Sequence, residues 1–143
     1  MTKIVYNRCY GGFGLSDKAV IRYAELKGLK VYVERENGLS VTFWTLPPEE
    51  RTDILLTEDW YSATNEQRMR SNEMYDRYTI QARDISRTDP ILIQVVEELG
   101  EHASGDFAKL AITEVETGVR YRIDEYDGFE SVMTVEDYDW SVA

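Results

Sequence analysis

The side chains best able to do chemistry in this sequence are few and far apart. Cys9 is the only cysteine and His102 the only histidine. A thiol and an imidazole so widely separated carry no spacing that marks a nucleophile and its base. Cys9 reads more simply as a packing residue, and His102, just past a helix stop at Gly100, as a ring suited to the carboxyl-terminal end of a helix dipole. One of each excludes an internal disulfide and a Cys/His zinc site. With no glycine-rich nucleophile elbow, a serine-type hydrolase is not expected either. The expectation is a protein without catalytic residues, resident metal or cofactor.

Two other groups of residues could bind something. Gly11, Gly12, Phe13 and Gly14 lie in a loop, Cys9 to Ser16, that joins a strand to a helix amino terminus, where backbone amides and the helix dipole can receive an anion. The loop lacks the Gly-Lys-Ser/Thr ending of a Walker loop and the third glycine of a dinucleotide fingerprint. It is either a tight connection, with glycines at positive φ and Phe13 plugging the core, or a ligand contact completed by Arg83 and Arg87, which otherwise cross-link the fold to nearby acids. The second group is acidic: Asp124, Glu125, Asp127 and Glu130 surround Gly128. Carboxylates on a turn suit calcium, but the spacing of a calcium-binding loop is absent. An acidic partner-binding surface or an ordinary solvated turn are the readings left.

The elements that must position these groups follow from periodicity. Lys3–Asn7 alternates as a strand, and Ser16 caps a helix from about Asp17 to Lys27 that Gly28 stops. Leu29–Trp44 reads as a hairpin; a three-residue loop with Gly38 at the bulge position pairs Val33 with Val41 and Val31 with Phe43, making one apolar face. Residues 45–82 are polar with a poor hydrophobic period, an excursion carrying mobile loops or a lid. Within it, Pro47-Pro48 can open a short helical turn, and Thr64 with Gln67 resembles a capping box. Asp89-Pro90 starts a helix whose stripe is Ile91, Leu92, Val95, Val96 and Leu99. Leu110–Ile112 and Val119–Ile123 read as a second hairpin around Glu116-Thr117-Gly118, with Ser131–Val135 as an edge strand. The sum is a single α+β domain over residues 1–143, a largely antiparallel sheet of two hairpins with two main helices packed on it.

Net charge sharpens the functional reading. The 143 residues carry −11, with +3 in residues 1–44, −4 in 45–89 and −10 in 90–143. From residue 124 onward there is no Lys or Arg, and Glu136, Asp137 and Asp139 extend the acidic run among Tyr126, Phe129, Tyr138 and Trp140. Affinity for phosphates comes from Lys and Arg, so direct nucleic-acid binding is disfavoured and a basic partner favoured. The bland alternative is a small acidic domain that is merely soluble. No run approaches the ~18 apolar residues of a membrane span, and the amino terminus lacks a secretory apolar stretch, so a soluble intracellular protein is expected.

Three blocks carry a resemblance: Tyr6-Asn7-Arg8-Cys9-Tyr10-Gly11-Gly12-Phe13-Gly14-Leu15-Ser16, then Arg83 through Gly100, then Ile123-Asp124-Glu125-Tyr126-Asp127-Gly128-Phe129-Glu130. In these the chain resembles a family of small, uncharacterised bacteriophage and prophage proteins, with residues 30–80 and the tail after Ser131 as the divergent part. The resemblance implies a phage origin and the cytoplasm of a bacterial host, and it brings no active site. Small acidic phage accessory proteins often bind and disable host machinery. By that analogy the chain is expected to inhibit a host protein with a basic surface, such as a CRISPR-associated nuclease, by blocking a nucleic-acid channel in the manner of an anti-CRISPR. Asp124, Glu125, Asp127, Glu130, Glu136, Asp137 and Asp139 are its expected partner-binding residues. The alternatives are a sponge that holds a nucleotide immune signal through the glycine loop, and a structural phage protein; a homodimer is also open.

Overall fold

The computed structural model describes residues 1–36 and 40–137. In chain order the elements are β1 (Thr2–Asn7), α1 (Asp17–Leu26), β2 (Tyr32–Glu36), β3 (Ser40–Trp44), α2 (Asn65–Tyr78), α3 (Pro90–Leu99), β4 (Leu110–Val115), β5 (Tyr121–Tyr126) and β6 (Phe129–Thr134), with short 3-10 turns between. All described strand pairs are antiparallel, so the class is α+β as expected. The chain gathers into two compact units: Met1–Lys27 with the chain from Ala82 onward, and Gly28–Gln81.

In the first unit β1 pairs with β4, Val5 opposite Ile112 and Asn7 opposite Leu110. Ile4 and Val5 point to opposite faces and both are fully buried, because both faces of this two-stranded sheet are covered. α3 packs toward one face, where Ile112 and Val96 line a common recess, and β6 toward the other, where Tyr6, Thr113, Phe129 and Val132 line a second. The helices begin where their caps predict. Ser16 Oγ accepts the Ala19 amide at 3.1 Å and donates to the His102 carbonyl at 2.6 Å. Asp89 accepts the Ile91 amide at 2.8 Å ahead of Pro90. Leu92, Val95 and Val96 are the buried part of the α3 stripe.

The expected second hairpin is corrected. β4 is taken by β1, and β5 pairs instead with β6 around Asp127-Gly128, with Tyr126 opposite Phe129. Asp127 at φ +51° and Gly128 at φ +89° form the left-handed two-residue turn whose twist matches that of paired strands. The Glu116–Gly118 turn does close, Val119 donating to Glu116 at 3.1 Å, but the strands on either side of it do not pair.

The second unit begins at Gly28, earlier than the expected excursion at 45, and contains the first hairpin. Its register also differs from expectation: Val33 lies opposite Phe43, Arg35 opposite Val41 and Tyr32 opposite Trp44. Val33 is 40% exposed, so aligning the aliphatic residues does not decide the register. The rings do. Trp44, only 4% exposed, packs edge-to-face on Tyr75 at 5.7 Å and lies under the Arg51 guanidinium at 4.3 Å. The bulge expected at Gly38 falls outside the described residues. The polar stretch also holds a third helix, α2, opened by the Thr64–Gln67 capping box with both of its bonds present. Pro48–Glu50 makes the expected short turn.

Candidate functional site

At one end of the first unit the three sequence blocks converge on a buried ion pair. Glu130, 7% exposed, receives Arg87 through two parallel bonds, Nη1 to Oε1 at 2.7 Å and Nη2 to Oε2 at 2.9 Å. Arg87 stacks on the Phe13 ring, its guanidinium carbon 3.5 Å from the ring centroid. This places a planar cation on the electron-rich face of an aromatic ring. Glu130 Oε1 also accepts the Asn7 amide at 2.9 Å. Asn7 is itself fully buried and satisfied: its Nδ2 donates to the carbonyls of Cys9 and Gly128 at 2.6 and 2.9 Å, and its Oδ1 accepts the Lys109 amide at 2.8 Å. Among the described residues no buried side-chain nitrogen or oxygen is left without a partner, as burial requires.

The glycines let backbones meet around this node. A Cβ on Gly11 would lie 2.0 Å from the Phe107 carbonyl oxygen, and one on Gly128 would lie 2.4 Å from that of Tyr10. Close approach of the protein's own backbone therefore accounts for Gly11 in the loop and for Gly128 in the β5–β6 turn without a phosphate. Gly12 takes the expected positive φ of +93°, and Gly14 does not.

This geometry corrects several expected site residues. Glu130 is not part of an exposed acidic surface or a cation-binding turn; its carboxylate is turned inward and neutralised. Arg87 is committed to Glu130 and to the Phe13 ring beneath it, so neither Arg87 nor Phe13 is free for a phosphate. Arg83 is exposed on the turn Ala82–Asp84 and bonds to neither group. Asn7, which sequence reasoning passed over, is the hub; its signal was an amide side chain directly after the run Ile4-Val5-Tyr6.

Outside the node the same end presents a different surface. Tyr10, Phe107 and Tyr126 are 63, 76 and 80% exposed. Tyr10 and Tyr126 share a recess of about 180 Å³ with Asp124 and Glu125, Tyr10 rests on Phe129 at 5.2 Å, and Phe107 lies against Gly11. Around these rings Asp106, Glu125 and Asp127 are exposed. Glu125 accepts the Gly128 amide at 2.9 Å and so fixes the turn, while Asp124 is bridged to Arg122 at 2.6 Å. Glu136 and Asp137 are exposed beyond the opposite end of β6, about 17 Å along the strand from the turn. Asp137 caps Thr134 there with bonds of 2.6 and 3.0 Å. The expected acidic surface is thus two separate groups, and Asp139 lies outside the described residues.

The perturbed titrations lie elsewhere. Burial pushes the Tyr23 hydroxyl up, and its 2.6 Å bond to Asp89 adds to this. Burial also pushes Asp89 up, but hydrogen bonds from Tyr23 and from the amides of Ile91 and Leu92, with Lys27 nearby, outweigh it and hold the carboxyl below its usual range. This cluster ties α1 to the start of α3. Among the described residues no group of three or more His, Cys, Asp or Glu is placed to hold a metal ion, and no helix is long and apolar enough to cross a membrane.

Comparison with protein-family models, with curated proteins and with solved structures gives no match in any of the three.

Proposed function

We propose that the chain is a non-enzymatic binding protein that docks a basic protein surface through its aromatic and acidic end. In keeping with the phage resemblance, it acts as a phage accessory protein that inhibits a host factor, such as a CRISPR-associated nuclease, by occupying a basic nucleic-acid channel. The observation that carries the reading is the trio Tyr10, Phe107 and Tyr126, exposed together and rimmed by Asp106, Glu125 and Asp127. Solvated aromatic rings forfeit the burial free energy they gain in a core, and rings of this kind anchor protein interfaces. The carboxylates around them supply charge for steering toward a cationic partner. The buried node beneath holds the surface rigid, which lowers the entropy lost on docking.

The test is capture from a bacterial lysate with the full chain, beside two variants: Phe107→Ala/Tyr126→Ala, and Asp124→Asn/Glu125→Gln/Asp127→Asn. The expected result is a nucleic-acid-binding partner held by the native chain, lost by the aromatic variant, and bound by the charge variant with a slower association that no longer depends steeply on salt. Unchanged affinity of both variants for that partner would overturn the reading.

A further inference from the structure

The parity of the β1–β4 ladder shows which backbone groups of β4 point away from β1. Arg8 donates its amide to Lys109 at 2.8 Å, so Arg8 and Lys109 face each other, and so by alternation do Tyr6 with Ala111 and Ile4 with Thr113. Residues 3, 5 and 7 of β1 and 110, 112 and 114 of β4 therefore turn their N–H and C=O groups outward. On the β1 side the Val5 amide donates to the Arg87 carbonyl at 2.9 Å, the Val5 carbonyl accepts from Arg87 Nη1 at 3.3 Å, and the Asn7 amide donates to Glu130. On the β4 side the Leu110 amide donates to Ser104 Oγ at 3.0 Å. Among the described residues nothing meets the Leu110 carbonyl, either backbone group of Ile112 or the Glu114 amide. Beside this edge lies a recess of about 650 Å³, lined by Val96, Ala108, Leu110, Ile112 and Cys9 among others.

We propose that the outer edge of β4, from Leu110 to Glu114, takes an extended basic segment of a partner protein as an added strand, with apolar side chains of that segment entering the recess against Val96 and Ile112. An unpaired edge offers main-chain donors and acceptors at strand spacing, and a pocket beside it reads alternate side chains, which is how strand addition gains affinity and selectivity. Charge selects the occupant. Glu114 is exposed on the recess face, Glu101 lines the recess, and Glu97 is close by, bonded to Lys3 at 2.8 Å; among the described residues Lys3 and Lys109, the latter also in the lining, are the cations beside them. On a chain of net charge −11 this balance favours a cationic strand and opposes a second copy of the chain. The proposal does not depend on the aromatic end, whose variants leave β4 intact.

The experiment uses the full ¹⁵N-labelled chain and a seven-residue peptide of alternating lysine and valine, with a glutamate and valine peptide as control. In the free monomer the Ile112 and Glu114 amides are expected to exchange rapidly, and the basic peptide to slow them about tenfold or more. Glu114→Pro removes one outward donor at an exposed edge position where proline is tolerated, and should abolish the peptide effect with the melting temperature nearly unchanged. Glu101→Lys/Glu114→Lys should weaken the basic peptide several-fold, which keeps the test open if the proline variant fails to fold. Ile112 and Glu114 already protected in the free monomer, a dimer protecting them without peptide, or equal binding of the acidic peptide would each overturn the proposal.

Discussion

Glu130→Gln is the most informative single change, because one oxygen of the carboxylate serves two partners and the other serves one. The amide keeps an oxygen for the Asn7 N–H but loses the charge and sets an NH₂ against Arg87 Nη2, donor facing donor. The Glu130 side chain is 9% exposed and that of Arg87 22%, so the orphaned guanidinium is only partly rehydrated. Breaking one side of a buried pair costs about 3–5 kcal/mol, and the partial exposure of Arg87 places the expected loss near the lower end. In urea, with a slope near 2 kcal/mol per M, a loss of about 3 kcal/mol moves the midpoint down by roughly 1.5 M. Arg87→Met keeps the apolar contact with Phe13 and removes the charge. A double-mutant cycle of the two changes should return a coupling of about 2–3 kcal/mol. A coupling below about 0.5 kcal/mol, with each single variant as stable as the native chain, would show that the node is held by backbone packing and that its charges are dispensable.

Other perturbations follow from the same geometry. Gly128→Ala should cost well over 1 kcal/mol, through positive φ and a Cβ forced onto the Tyr10 carbonyl, whereas Gly14→Ala, with nothing within 4 Å, should leave the thermal midpoint almost unchanged. Val95→Asp buries an unpaired carboxylate at a fully buried site of α3 and should leave no cooperative unfolding transition in the first unit. Asp89, with its folded pKa depressed, adds stability that is present above the ordinary carboxylate pKa and is lost as pH falls through the folded value. Asp89→Asn, still able to cap α3, should flatten the acid limb of the stability profile, and Tyr23→Phe should raise the Asp89 pKa followed by NMR.

Where the physics is local, the sequence is legible. Ser16, Thr64 and Asp89 each announce a helix start because a cap acts within three residues of itself, and the α3 stripe reports the face it buries. What escaped is what depends on remote partners. β4 alternates as well against β5 as against β1; choosing β1 requires seeing that Asp127-Gly128 is the stronger hairpin turn and so claims β5 for β6. The first hairpin took its register from Trp44 meeting Tyr75 and Arg51, contacts that no period within β2 and β3 encodes. Glu130 was misread for a related reason: in one dimension it belongs to an acidic run, yet it lies where alternation along β6 turns its side chain inward to Arg87, 43 residues earlier in the chain. The exposed rings at Tyr10 and Phe107 were equally invisible, since aromatic residues are by default assigned to the interior; only Tyr126 stood out, by lying in the acidic run.

The pairing of β1 with β4 also sets a timetable. Residues 2–7 are synthesised well before the strand that satisfies their backbone, which lies roughly 100 residues later. At about 5–20 residues per second, β1 waits on the order of 5–20 s for its partner. Two apolar residues with no covered face, Ile4 and Val5, are exposed during that interval, while Gly28–Gln81 can complete its own hairpin and helix from local contacts. The nascent chain is therefore most vulnerable to mispairing and to holdase capture at its first strand. Synonymous changes that slow translation between residues 80 and 110 should lower the soluble yield without altering the finished protein.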